Sequence, residues 1–539
     1  MISASFISSP LSTLVTLSLV ASPVALLVGC TDRPAEDGTQ TDTDDTTGTP
    51  GTTTATTTTP PPPPPPATTT GTDTTTTGPA LTTSSTTTGP DPDSGSSSEG
   101  SSSGSTGTGS TGTTGALDCT KGDPGCNQLD LVFVIDNSGT MGEEQLTLAR
   151  SFPLFVEQLR NLTDAAGAPI DLDVQVMVTT TDFGNPLCTQ FEPPGYDPAE
   201  GMPISTPCTD RLADFDNLVG TVSIPEACTN LCPAGIAPTD DYVAFDANGS
   251  NVPGAPVDID GDGTPDSPAA QALACIGPQG INGCGYESPL ENMLRALDPS
   301  APWNQGPAPF LRDGATLGLV LVSDEADCSI QDYTILEDPA YQNVNPNTGV
   351  PAASSAICWN AGVTCNGPDA MGVFSSCTTS ASPELQPLTR YTDYLIQELR
   401  DNQGKEVFMV AITGVPEVTA RSLDLPYAPT AGGVFDLVYR LWQDGPYPAG
   451  DILPDEWAMG ETAADKQFDF GIGPGCTGQD GMGNFTGQAI PPVRMLEVCE
   501  TLNLDATLEG TRCCVESICD ADYSGAVGCL AGMAALTAG

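Results

Sequence analysis

Histidine is absent from all 539 residues. That excludes Ser-His and Cys-His nucleophilic chemistry and every metal site built on imidazole. Basic residues are scarce: 15 Lys plus Arg stand against 69 Asp plus Glu, a formal net charge of −54. Eleven of those acids and one Arg precede Cys119, so the remainder alone carries about −44. Such a surface repels phosphate backbones and excludes nucleic acid as a partner. It suits divalent cations, a basic partner, or simple solubility. No P-loop and no Gly-x-Gly-x-x-Gly follows a strand pattern, so no phosphate cradle is in view. Carboxylates are too numerous for one pair to stand out as general acid and base. An enzyme therefore has no candidate site here beyond a metal, where metal-assisted hydrolysis is conceivable.

Apolar residues are nearly missing from Thr31 to Asp118, which is Thr, Ser, Gly and Pro with a seven-proline run from Pro60 to Pro66. So little burial cannot offset chain entropy, and the stretch reads as a disordered tether, stiff at the prolines and flexible elsewhere. Before it runs an apolar segment, Leu11 to Val28, ending Leu27-Val28-Gly29-Cys30. Two aliphatics and a small residue before Cys resemble a bacterial lipobox. The resemblance implies a signal peptide over 1–29, cleavage before Cys30, and a lipid on that thiol. Residues 1–29 contain no Lys or Arg, a departure from the usual basic leader. A plain transmembrane anchor or a secretory signal with an incidental Cys are the competing readings. The expected organisation is signal 1–29, lipidated Cys30 and linker 30–118, and a folded region 119–539. The membrane is then met through the lipid anchor only, in the cell envelope, at the outer membrane or the cell surface.

Nineteen cysteines fit an exported chain. Without Cys30, eighteen remain from Cys119 onward, an even number that reads as a disulfide framework in an oxidising compartment. Zinc is disfavoured by the absence of His and of paired Cys-x-x-Cys knuckles. Cys119 and Cys126 are expected to pair locally; the other connectivities stay open.

The densest signal is Leu129 to Met141, LDLVFVIDNSGTM. A continuous apolar run rich in Val and Ile predicts a strand buried on both faces of a parallel sheet. It stops at Asp136-Asn137-Ser138-Gly139-Thr140, and a helical pattern follows over 142–162, with Pro153 as its weak point. One carboxylate and two hydroxyls on a strand-to-helix turn are hard oxygen ligands, suited to Mg²⁺, Mn²⁺ or Ca²⁺. An ordinary Asx- or Ser-capped turn is the competing reading. Residues 171–180, DLDVQVMVTT, alternate as a second strand. A β-α-β opening points to a doubly wound α/β fold.

VFVIDNSGTM resembles the first motif of the von Willebrand factor type A (vWA) domain, whose metal-ion-dependent adhesion site carries Asp-x-Ser-x-Ser. Thr140 keeps the last hydroxyl. Two further stretches resemble the family's other loops in order: Gly283-Cys284-Gly285-Tyr286-Glu287-Ser288 before a helix, and the apolar run Ala315–Val322 ending in Ser323-Asp324. The resemblance covers about Leu129 to Gly414. It implies a Rossmann-like vWA domain with a divalent cation, Mg²⁺ or Ca²⁺, held by Asp136, Ser138, Thr140, Glu287 and Asp324. It also implies a protein ligand that reaches the ion through an acidic side chain. Where the family has a Thr, this chain has Glu287, which would supply negative charge internally and favour Ca²⁺ or weaken partner binding. A first-turn acid favoured by the helix dipole explains Glu287 equally well.

Two Cys-bearing insertions are expected, about 183–282 and 325–380, with a C-terminal extension about 415–539. Helices are expected over 382–401, 494–502 and 517–535, and a buried strand over 406–414. The first insertion contains Asp258-Ile259-Asp260-Gly261-Asp262-Gly263-Thr264-Pro265-Asp266. Carboxylates at alternate positions with a Gly at the bend match the front of an EF-hand-type loop, and resemble more closely the loops of thrombospondin type 3 repeats. Asp258, Asp260, Asp262 and Asp266 are the candidate Ca²⁺ ligands, in a structural role; the bidentate acid at position 12 is missing, and a solvated acidic loop is the alternative. For the whole chain, a structural or assembly protein whose cation only locks loops together stands as the second reading.

Overall fold

The computed structural model describes residues 127–164, 167–188, 196–216, 222–447, 450–453, 460–503 and 511–538. The apolar segment before Cys30, Cys30 itself, the Thr/Pro-rich linker, and Cys119 with Cys126 all lie outside the described residues.

Six strands form the central sheet: β1 (Gln128–Ile135), β2 (Asp173–Thr180), β3 (Val243–Phe245), β4 (Thr316–Val322), β5 (Val407–Thr413) and β6 (Cys513–Ser517). Their spatial order is β6-β5-β4-β1-β2-β3. Every pairing is parallel except that of β3, which runs antiparallel to β2 at the edge. The chain is thus mixed α/β, with the strand order of a doubly wound sheet.

Both faces are covered, which is why β1, β4 and β5 read as unbroken apolar runs. Leu129, Leu131, Phe133 and Ile135 of β1 enter one core with helices α1 (Gly142–Arg160), α2 (Pro268–Ile276) and α6 (Ser524–Ala538). Val132 and Val134 enter the other, with α3 (Pro289–Ala296), α4 (residues 389–402) and α5 (Val493–Thr501). The α4 segment begins over Thr389–Thr392 and continues in wider π-turns over Asp393–Asn402. Helix α1 runs through Pro153, which is buried. Among the described residues no helix is long and apolar enough to cross a membrane.

The stretch expected as a first insertion is more deeply built in than that. It supplies the edge strand β3, and its α2 packs on α1 in the main core. The region after 415 likewise completes the sheet with β6 and adds one helix to each face, α6 to the first core and α5 to the second, with an antiparallel ribbon, Cys476–Gln479 with Phe485–Ala489. The last helix starts at Ser524 rather than 517, because Cys513–Ser517 is strand.

Among the described residues eight disulfides brace these additions: 188–284, 208–228, 232–275, 328–358, 365–377, 476–519, 499–513 and 514–529. Cys188–Cys284 joins the segment after β2 to the segment before α3.

Candidate site at the carboxyl edge of the sheet

In a sheet of order 3-2-1-4-5-6 the chain direction of winding reverses between β1 and β4, and that crevice is where such folds take ligands. Register places the ends of the two strands side by side, Ile135 opposite Val322. The residues that follow, Asp136 and Ser323, meet: the Ser323 hydroxyl donates to Asp136 Oδ2 at 2.6 Å. Asp136 Oδ1 accepts from the Ser138 amide at 2.8 Å, and the Ser138 and Thr140 hydroxyls lie 3.2 Å apart. Asp136, Ser138, Thr140 and Asp324 are all buried. Burial, and then the charge of Asp324, push the Asp136 carboxyl up to about 7.

Glu287 arrives from the turn into α3. The Ser288 amide donates to the Thr181 carbonyl at 2.8 Å, and the Cys328 amide to the Glu287 carbonyl at 2.6 Å. The turn is therefore wedged between the end of β2 and the loop after β4. Glu287 Oε2 accepts from the Thr181 hydroxyl, while Oε1 has no hydrogen-bond partner although the side chain is fully buried. Burial, then Asp136 and Asp182, hold this carboxyl well above its ordinary value. Gly283 lets the turn come this close, since a Cβ there would collide with the Asn137 side chain.

The sequence did not single out Asp182. It is buried just past β2; its Oδ1 accepts from the Gly184 amide at 2.9 Å, and its Oδ2 from Tyr196 Oη at 2.7 Å and the Cys284 amide at 3.3 Å. Asn137 Nδ2 donates to the same Tyr196 oxygen at 3.0 Å. The polar run Thr179-Thr180-Thr181-Asp182 at the carboxyl end of a buried strand is the signal that could have found it. Tyr196 had none, standing in a loop without periodicity.

Five other buried carboxylates have a basic partner. Asp130 pairs with Arg312, Glu291 with Arg390, Asp327 with Arg494, Asp451 with Arg440 and Glu516 with Arg421. Among the described residues no Lys or Arg forms an ion pair with Asp136, Asp182 or Glu287, and the charges that act on Asp136 and Glu287 are other carboxylates. Burying like charges without a counter-charge is costly. Carboxylates and hydroxyls at one point, with one carboxylate oxygen unsatisfied, are the donor set of a hard divalent cation. Asp136, Ser138, Thr140, Glu287 and Asp324 fit such an ion chemically. Their three carboxylates are not drawn as tightly together as those of Asp258, Asp260 and Asp262, each of which offers one oxygen within 4.8 Å of the others.

That second cluster is exposed. Asp258 accepts from the amides of Gly261 and Gly263, Asp260 from Asp262, and Asp262 from Thr264, so the loop is held by its own turns. Asp266 points differently: its Oδ2 accepts from the Ile259 amide at 2.9 Å, and its backbone bridges to Val257. The sulfurs of Cys208, Cys228 and Cys232 also lie close together, but all three are in disulfides and offer no thiolate.

No family model, no curated protein and no solved structure matches the chain.

Proposed function

We propose that the chain is an exported, lipid-anchored protein of the cell envelope whose folded region is a vWA-type domain holding one divalent cation, Mg²⁺ or Ca²⁺, between β1 and β4. The observation that carries this reading is that Asp136, Asp182 and Glu287 lie buried at the switch point of the sheet and form no ion pair with Lys or Arg among the described residues. Asp136, Ser138, Thr140, Glu287 and Asp324 hold the ion. Ser323 and the Ser138 amide orient Asp136, and Thr181 orients Glu287. The bound ion supplies positive charge that neutralises these groups and attracts an acidic side chain of a protein ligand. Cys30 carries the lipid, and the linker over 30–118 joins it to the folded region. Asp258, Asp260 and Asp262, with Asp266, form a separate calcium loop of structural role.

The second reading, an ion that only locks loops in a structural or assembly protein, draws support from burial. Asp136, Ser138 and Glu287 are all 0% exposed, so a partner's carboxylate reaches the ion only if a covering loop moves. Cross-linking in the intact envelope, with and without chelator, separates the two. The adhesive reading predicts a neighbour captured in the presence of the cation and lost in EDTA. The structural reading predicts unchanged capture and a lower thermal midpoint in EDTA. A hydrolase would instead show turnover abolished by Asp136→Ala.

A further inference from the structure

The first two ligand-bearing segments are joined by more than their ligands. Gln145, buried in the first turn of α1, donates from Nε2 to the Asp136 carbonyl at 2.6 Å. Its Oε1 accepts from the Gln279 amide at 2.7 Å. Gln279 belongs to the segment that runs on to Glu287, and four residues later the Gly283 amide donates to the Asn137 carbonyl at 2.8 Å. From the outer side, half-buried Arg211 donates to the carbonyls of Pro278 (2.5 Å) and Gln279 (3.2 Å). The segment before α3 is therefore pinned against the Asp136 loop at two points and backed by a third. Gln145 spends both ends of its amide on this strut, and a buried side chain with both ends engaged has little freedom to adjust.

The geometry points to Gln145 as a positioning residue that fixes the spacing between the Asp136 loop and the Glu287 turn, and thereby sets which divalent cation the site prefers. This rests on the cation reading above. Mg²⁺ demands near-octahedral oxygens at about 2.0–2.1 Å, whereas Ca²⁺ accepts six to eight at about 2.3–2.6 Å in flexible arrangements. A strut that holds two loops at one spacing favours the demanding ion; loosening it costs Mg²⁺ more than Ca²⁺. Groups that orient ligands without touching the metal typically change affinity by about 10–100-fold when removed.

The test is direct titration of the full chain with Mg²⁺ and with Ca²⁺, each alone, in the wild type, Gln145→Met and Gln145→Glu. A background of Asp258→Asn, Asp260→Asn and Asp262→Asn removes the exposed loop. The Met variant loses both hydrogen bonds; the Glu variant keeps the shape and the acceptor for Gln279 while losing the amide donor to Asp136. Expected is a fall in Mg²⁺ affinity of about tenfold or more with a smaller fall for Ca²⁺, so that the ratio of the two affinities shifts in both variants. An unchanged ratio, whether both affinities fall together or neither moves, overturns the positioning role. A wild type in that background that takes up neither ion overturns the cation reading itself, which is a different failure.

Discussion

Ser323 Oγ and Asp136 Oδ2 lie 2.6 Å apart across the junction of two strands separated by 187 positions in the chain. The contact follows from parallel register alone: once Ile135 stands opposite Val322, the next residues of β1 and β4 share one crevice. Ser323→Ala leaves a buried carboxylate oxygen without its donor. The expected cost in chelator is about 1–3 kcal/mol, measured by urea unfolding of the two proteins side by side. No change in midpoint would mean that the hydroxyl does not support Asp136.

The Cys188–Cys284 disulfide closes a loop with a sequence separation of 96 and sits directly beside Asp182, whose carboxylate accepts from the Cys284 amide. The double variant Cys188→Ser/Cys284→Ser should lose about 2–5 kcal/mol. It should also speed proteolysis around Tyr196, mapped by mass spectrometry. Equal cleavage rates would show that the hydrogen bonds to Asp182 hold the loop unaided.

Asp327 organises the third segment from below. Its Oδ2 takes Arg494 Nε at 2.8 Å, and its Oδ1 takes the Ser329 hydroxyl at 2.6 Å and the Leu290 amide at 3.2 Å. Arg494→Met strands a buried charge, and about 3–5 kcal/mol of stability is expected to go with it. Calorimetry of the variant checks this, and a loss well under 1 kcal/mol would contradict it.

Burial pushes Asp469 up to about 7, against the pull of Lys466. Since the folded state then binds a proton that the unfolded state has released, stability falls as pH rises from about 4 to about 7 and is level above. Asp469→Asn removes that contribution. Its thermal midpoint relative to the wild type should therefore rise between pH 4 and pH 8, and a difference constant over that range would refute the assignment.

What could be read from residues was governed by how local the cause is. β1, β4 and β5 are long apolar runs buried on both faces, and each announces itself. β6, Cys513-Cys514-Val515-Glu516-Ser517, does not: its one acid, Glu516, is buried and paired with Arg421, 95 positions earlier. β3 is three residues long and exists because β2 offers an edge. Asp136, Glu287 and Asp324 were legible from the loops they stand in, and the structure gathers those loops at one rim. Asp182 reaches Tyr196 across 14 positions and Cys284 across 102, and Gln145 reaches Gln279 across 134, distances at which no spacing rule operates.

The central claim is that one cation site lies at the junction of β1 and β4. Titrating the full chain with Mn²⁺, with Asp258, Asp260 and Asp262 changed to Asn to silence the exposed loop, tests it most directly. One saturable site is expected, abolished by Asp136→Ala while the circular dichroism of the folded domain is retained. Undiminished Mn²⁺ binding by the Asp136→Ala protein, or none by its parent, would contradict the account.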